Sequence, residues 1–465
     1  MTSPESFPFV RVVLLDFNGG STIVDAVGSA VSTQWPQDRF EVVCVDNGST
    51  DGSIEEIEKQ FPSVKIFRNG ANLGFPGNNV ALGDLKDIDY VALVNSDALV
   101  APTWLAPLVE RAEADKGIGA VCPKILLADQ FLEIPIGIKG VSTGASTAVI
   151  LRSVALNHQD VFSRCHVAEG GGRSSDRDGI FERLADGAIL RVPVGGSDGL
   201  EQLADVSVEL EALESCVVVL AGDRVQERAL TRGERIQISL AVERNLVDVL
   251  NNAGSWLDDS WVGHERGLYE VDRGQFDQSV DVGTWCGAAV LLRAKQIEDV
   301  GVFEDSFFLY YEDTDLAVRG RGRGWRFVLE PKSVVRHIHS ASTVEGSDVA
   351  AFHIERNRLL LVLRHAPAKV IVREFLRYLL VTASYARTAI AQSRTRRHLP
   401  DFKIVSLRLR SFFGAVRLLP ASIAARRHIA SRRYLSRAEL KQLLALGSSD
   451  AAPGSSKGAG LRSPA

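Results

Sequence analysis

Cysteine is scarce and unpaired in this sequence. Cys44, Cys122, Cys165, Cys216 and Cys286 are odd in number, widely spread and never spaced CxxC, which excludes a disulfide scaffold and predicts free thiols in a reducing compartment. No run of about 18 uncharged apolar residues occurs, so no membrane-spanning helix is expected. The opening MTSPESFPFVRVVLLDF has no basic region ahead of a long apolar run, so no signal peptide is expected and a cytoplasmic location follows. No internal repeat is found. Residues 16–21 (DFNGGS) lack G-x-G-x-x-G after the first apolar run, which argues against a dinucleotide oxidoreductase.

What is present is an ordinary globular composition. The chain has 465 residues, 45% hydrophobic and 24% charged, enough for two to four domains at roughly 150 residues each. Charge is unevenly placed. Between Arg364 and Arg437, 17 Lys and Arg face only Glu374 and Asp401, a local +15 that leaves −20 on the rest of a chain with net charge −5. A basic segment on an acidic body points to a polyanionic surface. The acidic body and the lack of a recognition motif argue against nucleic acid, leaving an anionic membrane.

Apolar runs at 10–16, 41–45, 64–68 and 90–94 read as buried strands, with helices expected over 21–34 and 76–84. Strands alternating with helices over short connections predict an α/β fold with a mostly parallel sheet. From 129 to 247 the texture changes to short alternating runs separated by Gly, Ser and Asp, the pattern of an inserted all-β module. The expected domains are 1–128, the nucleotide-binding half; 129–247, the insertion; and 248–345, the acceptor and base half. Basic amphipathic helices follow over 346–446, then a disordered tail over 447–465.

In parallel sheets, ligands bind beyond the carboxyl ends of the strands, where the polar clusters sit here. Asp46 opens the turn DNGSTDGS, which can accept bonds from a base or ribose, or be a solvated Asx turn. Asn95-Ser96-Asp97 offers a carboxylate for a divalent cation bridging phosphate oxygens, or a helix N-cap ahead of Pro102 and Trp104. Glu312-Asp313-Thr314-Asp315 follows the aromatic run 307–311; burial should raise at least one carboxyl pKa, as a general base requires. The alternative is an acidic helix start. His337 and His339, spaced H-x-H on a strand, would share one face suited to metal or phosphate, or be structural. Trp285-Cys286-Gly287-Ala288 alone reads as a strand with a close-packed glycine.

Taken in order, these elements resemble the family 2 glycosyltransferases, which are inverting, nucleotide-sugar-dependent and of GT-A fold, and within them the bacterial rhamnosyl- and galactofuranosyltransferase branch. The matching segments are NGG (18–20), VDNGSTDGS (45–53), NLGFPGNN (72–79), VNSDA (94–98), CGAAVLLR (286–293), FFLYYEDTDLAVRGRGRGW (307–325), VVRHIHSAST (334–343) and RNR (356–358). The resemblance implies a donor site of Asp16, Asn18, Asp46, Asn72, Gly74, Asn78, Asn95 and Asp97. It implies a sugar or acceptor pocket of Trp285, Gly287 and Glu312, and a catalytic pair of Asp313 and Glu312 in which Asp313 is the base. Mg²⁺ or Mn²⁺ would be held by Asp97 with His337 or His339, Asn95 replacing the first Asp of the family's D-x-D. Implied partners are a UDP- or dTDP-linked sugar donor and a glycan or polyprenyl-linked acceptor for cell-wall or surface polysaccharide, at the inner face of the cell membrane. The competing expectation is a catalytically silent homologue that binds sugar or lipid through the inserted module, whose role the resemblance leaves open.

Overall fold

The apolar run Val10–Asp16 forms a strand flanked by parallel neighbours, Phe40–Asp46 on one side and Tyr90–Val94 on the other. Covered on both faces, such strands are continuous Val, Leu and Ile rather than alternating. Lys65–Arg68 extends the parallel set, and Ala289–Arg293 pairs antiparallel with Tyr90–Val94 at the other side. The computed structural model describes residues 7–141, 148–169, 171–176, 179–195, 203–243, 245–338, 347–396 and 400–448. They fall into two units: one from residues up to Leu126, Asn251–Leu268 and Gly274 onward, the other from Leu127–Leu250 and Tyr269–Arg273.

In the first unit, helices Gly20–Val31 and Leu105–Glu113 cover the sheet with Ile23, Ala26, Val27 and Ala30, and with Leu105, Leu108, Val109 and Ala112. Both sets keep helical spacing along one face. The α/β class and the largely parallel sheet expected from the sequence are thus found. Register positions the site. Asp16 lies opposite Asp46, and Leu14 opposite both Cys44 and Val94. Asp16, Asp46 and the Asn95–Asp97 turn therefore leave the same carboxyl edge.

Two local expectations change. The helix over 76–84 is instead a 3₁₀ turn, Phe75–Asn78, and a single helical turn, Asn79–Leu82. Asp97 is no helix cap: it precedes strand Ala98–Val100, which pairs with the end of strand Arg326–His337, and the next helix starts at Leu105.

The second unit is built of strands; among the described residues its one helical piece is the 3₁₀ turn Phe162–Arg164. Leu132, Ile134, Ile136 and Ile138 on one strand, Val206, Val208 and Leu210 on another, and Ile238, Leu240 and Val242 on a third fill one core. That two-residue period is the alternation visible in the sequence.

The basic segment forms helices Asp348–His365, Ala368–Arg396, Lys403–Arg417, Leu419–Arg432 and Arg437–Leu444. The sequence groups Val370, Ile371, Phe375, Leu376, Leu379 and Leu380 on one helical face, and the structure splits them. Ile371 and Phe375 pack inward with Tyr378 against Leu359, Leu360 and Leu363. Leu376, Leu379 and Leu380 instead join Val372 in an exposed stripe, at 56%, 40%, 71% and 60%. At 100° per residue, 371, 375 and 378 share one side, and 372, 376, 379 and 380 another. Among the described residues, no helix is long and apolar enough to cross a membrane. Residues 449–465, most of the expected tail, lie outside the described residues.

Candidate functional site

The first polar cluster is built around Asp16. Its side chain has no exposed surface, and both oxygens are engaged: Oδ1 accepts from Gly19 N–H at 2.9 Å, and Oδ2 from the Ser49 and Ser53 hydroxyls at 3.1 and 2.6 Å. Burial pushes its pKa up, against the pull of those donors. A carboxylate so enclosed holds the turn together. Asp46, nearly buried, accepts through Oδ1 from the N–H groups of Gly48 and Ser49 at 2.9 and 2.7 Å, so the Asx-turn reading accounts for that oxygen. Asn18 is exposed, with φ of 55°, and its Oδ1 accepts from Thr50 N–H at 2.8 Å.

The second cluster is the loop from Asn72. Gly74 has φ of 67°, and a Cβ there would sit 2.0 Å from the Phe308 carbonyl oxygen, so only glycine allows that approach. Asn72 is exposed and accepts from Gly74 N–H at 2.9 Å. Asn78 is buried and donates to the Phe75 carbonyl at 2.9 Å. Gly74 and Asn78 thus shape the loop, while Asn72 is the member whose surface is open to a ligand.

The third cluster joins distant segments. Asp97 and His337 are both nearly buried, and His337 Nε2 lies 3.0 Å from Asp97 Oδ1. His337 Nδ1 lies 2.9 Å from Asn251 Oδ1, a partner that fixes the ring's orientation. A carboxylate oxygen and an imidazole nitrogen 3.0 Å apart suit adjacent positions around a cation with bonds of about 2.1 Å, so the pair fits Mg²⁺ or Mn²⁺. Among the described residues, no group of three or more His, Cys, Asp and Glu side chains could hold a metal. His339 lies outside the described residues. Asn251 was not singled out from the sequence, because an asparagine's orienting role is visible only beside its partner.

The fourth cluster opens helix Glu312–Gly322. Asp313 Oδ2 accepts from Gly287 N–H at 3.0 Å, and Oδ1 from the N–H and hydroxyl of Thr314. Burial nevertheless raises its pKa. Glu312 is buried deeper, and both burial and the neighbouring Asp313 charge push its pKa well up. Its Oε2 and the Trp285 indole N–H are enclosed polar atoms lacking a hydrogen-bond partner. Asp315 behaves oppositely: Arg364, Arg319 and His365 surround it and hold its pKa well down. Of the three carboxyls in this cluster, Glu312 and Asp313 are shifted up and Asp315 is held down by its ion pairs.

Burial and the Asp313 charge both push Glu312 toward its protonated form, so Glu312→Gln, which keeps the shape without the charge, should keep turnover within about tenfold of wild type. A loss matching that of an Asp313 variant in parallel assays would refute this.

The third and fourth clusters are neighbours through one strand. Asn95 N–H donates to the Ala288 carbonyl at 2.9 Å, beside Gly287, which holds Asp313. Trp285 is buried, its ring 6.4 Å from that of Phe303.

Against known proteins, residues 12–131 match the model of Glycosyl transferase family 2. That stretch is what the chain shares with the family. An uncharacterized glycosyltransferase of Haemophilus influenzae is 29% identical over 121 residues, 25% of this chain and 36% of that one. The N-acetylglucosaminyl-diphospho-decaprenol L-rhamnosyltransferase of Mycobacterium tuberculosis is 36% identical over 74 residues, 16% of this chain and 24% of that one. The chain therefore spans little more than a third of the first relative's length and about a quarter of the second's. The crystal structure of GalNAc-T7 with UDP, GalNAc and Mn²⁺ superposes with a TM-score of 0.45 at 14% identity, covering 93% of this chain and 59% of that one. The matched stretch contains Asp46, Asn72 and Asp97; Asp313 and His337 come from beyond it.

Proposed function

We propose that the chain is an inverting, cation-dependent glycosyltransferase of GT-A fold, moving a sugar from a nucleoside diphosphate to a glycan or lipid-linked acceptor in cell-wall or surface polysaccharide synthesis. The observation that carries this is the link from Asp313 through Gly287 and Ala288 to Asn95, two residues from Asp97. It brings a carboxyl of raised pKa and a carboxylate–imidazole pair to one sheet edge within a family 2 framework.

Asp46 and Asn72 hold the nucleoside, and Asp97 with His337 would hold the cation. When bound, that cation supplies positive charge facing the leaving diphosphate. Asp313 takes the acceptor hydroxyl proton as the oxygen attacks the anomeric carbon opposite the diphosphate; the sugar–phosphate bond breaks and the configuration inverts. Gly287 and Thr314 keep the carboxylate aimed. Retention would need a second, nucleophilic carboxylate, and Glu312 beside the base is buried. The test is nucleoside diphosphate release across UDP- and dTDP-sugars with Mg²⁺ or Mn²⁺, with product stereochemistry read by NMR. Release that is unchanged by EDTA, or a retained configuration, refutes the corresponding part.

We further propose that the protein works at the inner face of the cell membrane. The exposed stripe of Val372, Leu376, Leu379 and Leu380 runs beside Lys369, Arg373, Arg377 and Arg387 on a helix of 29 residues. Buried Glu374 offsets part of that charge through Arg358, Arg373 and Arg377. An apolar stripe edged by cations suits an anionic leaflet, each cation contributing about 1 kcal/mol. Salt-sensitive sedimentation with phosphatidylglycerol vesicles is expected, weakened at least about tenfold by Leu376→Glu with Leu380→Glu. Equal binding by that variant refutes the assignment.

A further inference from the structure

The loop Phe303–Tyr311 delivers Asp313, because helix Glu312–Gly322 starts where the loop ends. Three of its residues, Phe308, Tyr310 and Tyr311, have φ of 63°, 65° and 69°. Side chains other than glycine hold that conformation only where their surroundings over-determine it. Here the constraint comes from helix Asp348–His365. Asn357 has no exposed surface, and its Nδ2 lies 2.7 Å from each of the carbonyl oxygens of Phe307, Leu309 and Tyr310. Arg356 adds bonds of 2.8 Å to the Ser306 and Phe307 carbonyls, and its Nε donates to Asn357 Oδ1 at 2.8 Å, fixing which way that amide faces. From the donor side, Phe75 N–H donates to the Phe308 carbonyl at 2.7 Å, and Asn79 holds both backbone groups of Phe303. Every carbonyl from Ser306 to Tyr311 is engaged, the last by Asp315 N–H within the helix.

We infer that Asn357 is a positioning residue for Asp313: it fixes the backbone of residues 307–310, hence the direction in which the helix starts and the aim of the carboxylate. The inference rests on reading Asp313 as the base. The chemistry is particular to an amide, since three carbonyl oxygens converge on one NH₂ group. Aspartate would set a charged oxygen against them, and leucine would offer no donor.

The experiment compares wild type with Asn357→Ala, Asn357→Asp and Arg356→Ala in turnover, donor KM, melting temperature and amide hydrogen exchange. Asn357→Ala is expected to lower kcat about 10²-fold with donor KM within about threefold, Asn357→Asp more, and Arg356→Ala less. Exchange over residues 303–314 should quicken at least about tenfold in Asn357→Ala, with strands Val10–Asp16 and Tyr90–Val94 unchanged. Unchanged kcat, or protection lost evenly across the sheet, overturns the inference. Should Asn357→Ala not fold, Arg356→Ala carries the same comparison, and an unaltered kcat with unaltered exchange in it overturns the inference. If wild type releases nucleotide from no donor, the reading of Asp313 as base fails on its own. Exchange then decides the clamp: selective quickening over 303–314 supports it, and none overturns it.

Discussion

Asp313→Asn is expected to cut turnover by about 10²–10⁴-fold while nucleotide binding stays within a few-fold. General base catalysis contributes on that scale, and the variant keeps the side chain's shape while losing its capacity to take a proton. The contacts from Gly287 and Thr314 are to Asp313's oxygens, so a retained nucleotide affinity separates lost chemistry from a lost site. The pH profile offers a second reading. Burial raises the Asp313 pKa, and the base works only deprotonated. The wild-type rate should therefore fall as pH drops through that raised pKa, with an acid limb above the ordinary carboxylate value of about 3.9. Near-normal turnover in the variant, or an acid limb at the ordinary value, would show that another group is the base.

Asp315→Ala should be the most damaging single change to stability, costing about 3–5 kcal/mol. Asp315 has no exposed surface and pairs with Arg364 at 2.8 Å, Arg319 at 2.9 Å and His365 at 2.7 Å. Burial holds the His365 pKa down despite Asp315, and the Arg364 and Arg319 guanidiniums are the charges that face the carboxylate. Truncation leaves Arg319 without a carboxylate partner and Arg364 with Glu304 alone. The sign with pH follows from the depressed folded pKa of Asp315. Its contribution is present above the unfolded value of about 3.9 and is lost as pH falls toward the folded one. The stability difference between wild type and Asp315→Asn in urea unfolding should thus be full at pH 7 and start to narrow only below about pH 4; a constant difference would contradict the ion-pair account.

Much of this was legible in the sequence where one-dimensional pattern and three-dimensional role coincide. The strands from Val10, Phe40 and Tyr90 read correctly because burial on both faces imposes unbroken apolar runs. Glu312 and Asp313 stood out because carboxyls beside aromatics are physically costly. What stayed hidden depends on partners far along the chain. Asp16 and Asp46 look alike in sequence, yet the hydroxyls of Ser49 and Ser53 enclose only Asp16. Asp315 looked like a member of an acidic cluster until Arg364 and His365, about fifty residues on, were set beside it. Similarly, the helix from Ala368 has apolar residues on more than one side, so spacing alone did not say that Phe375 turns inward and Leu376 outward. We propose that the β-rich insertion over residues 129–247 is dispensable for nucleotide binding, as a self-contained module would be. Its replacement by a short linker should leave UDP or dTDP affinity within a few-fold, measured by calorimetry. Lost affinity in a variant whose sheet still folds would refute that.

The antiparallel ladder between Ala289–Arg293 and Tyr90–Val94 bears on how such a protein can be recombined. Ala289 faces Val94 and Arg293 faces Tyr90, and because side chains alternate, a one-residue slip there would swap every side chain between two buried faces. Chimeras that join the part of the chain before the insertion to the later part of a relative should therefore tolerate wide divergence in loops but no insertion or deletion within the ladder. A library crossed over with that alignment locked is a practical route to new pairings of donor and acceptor.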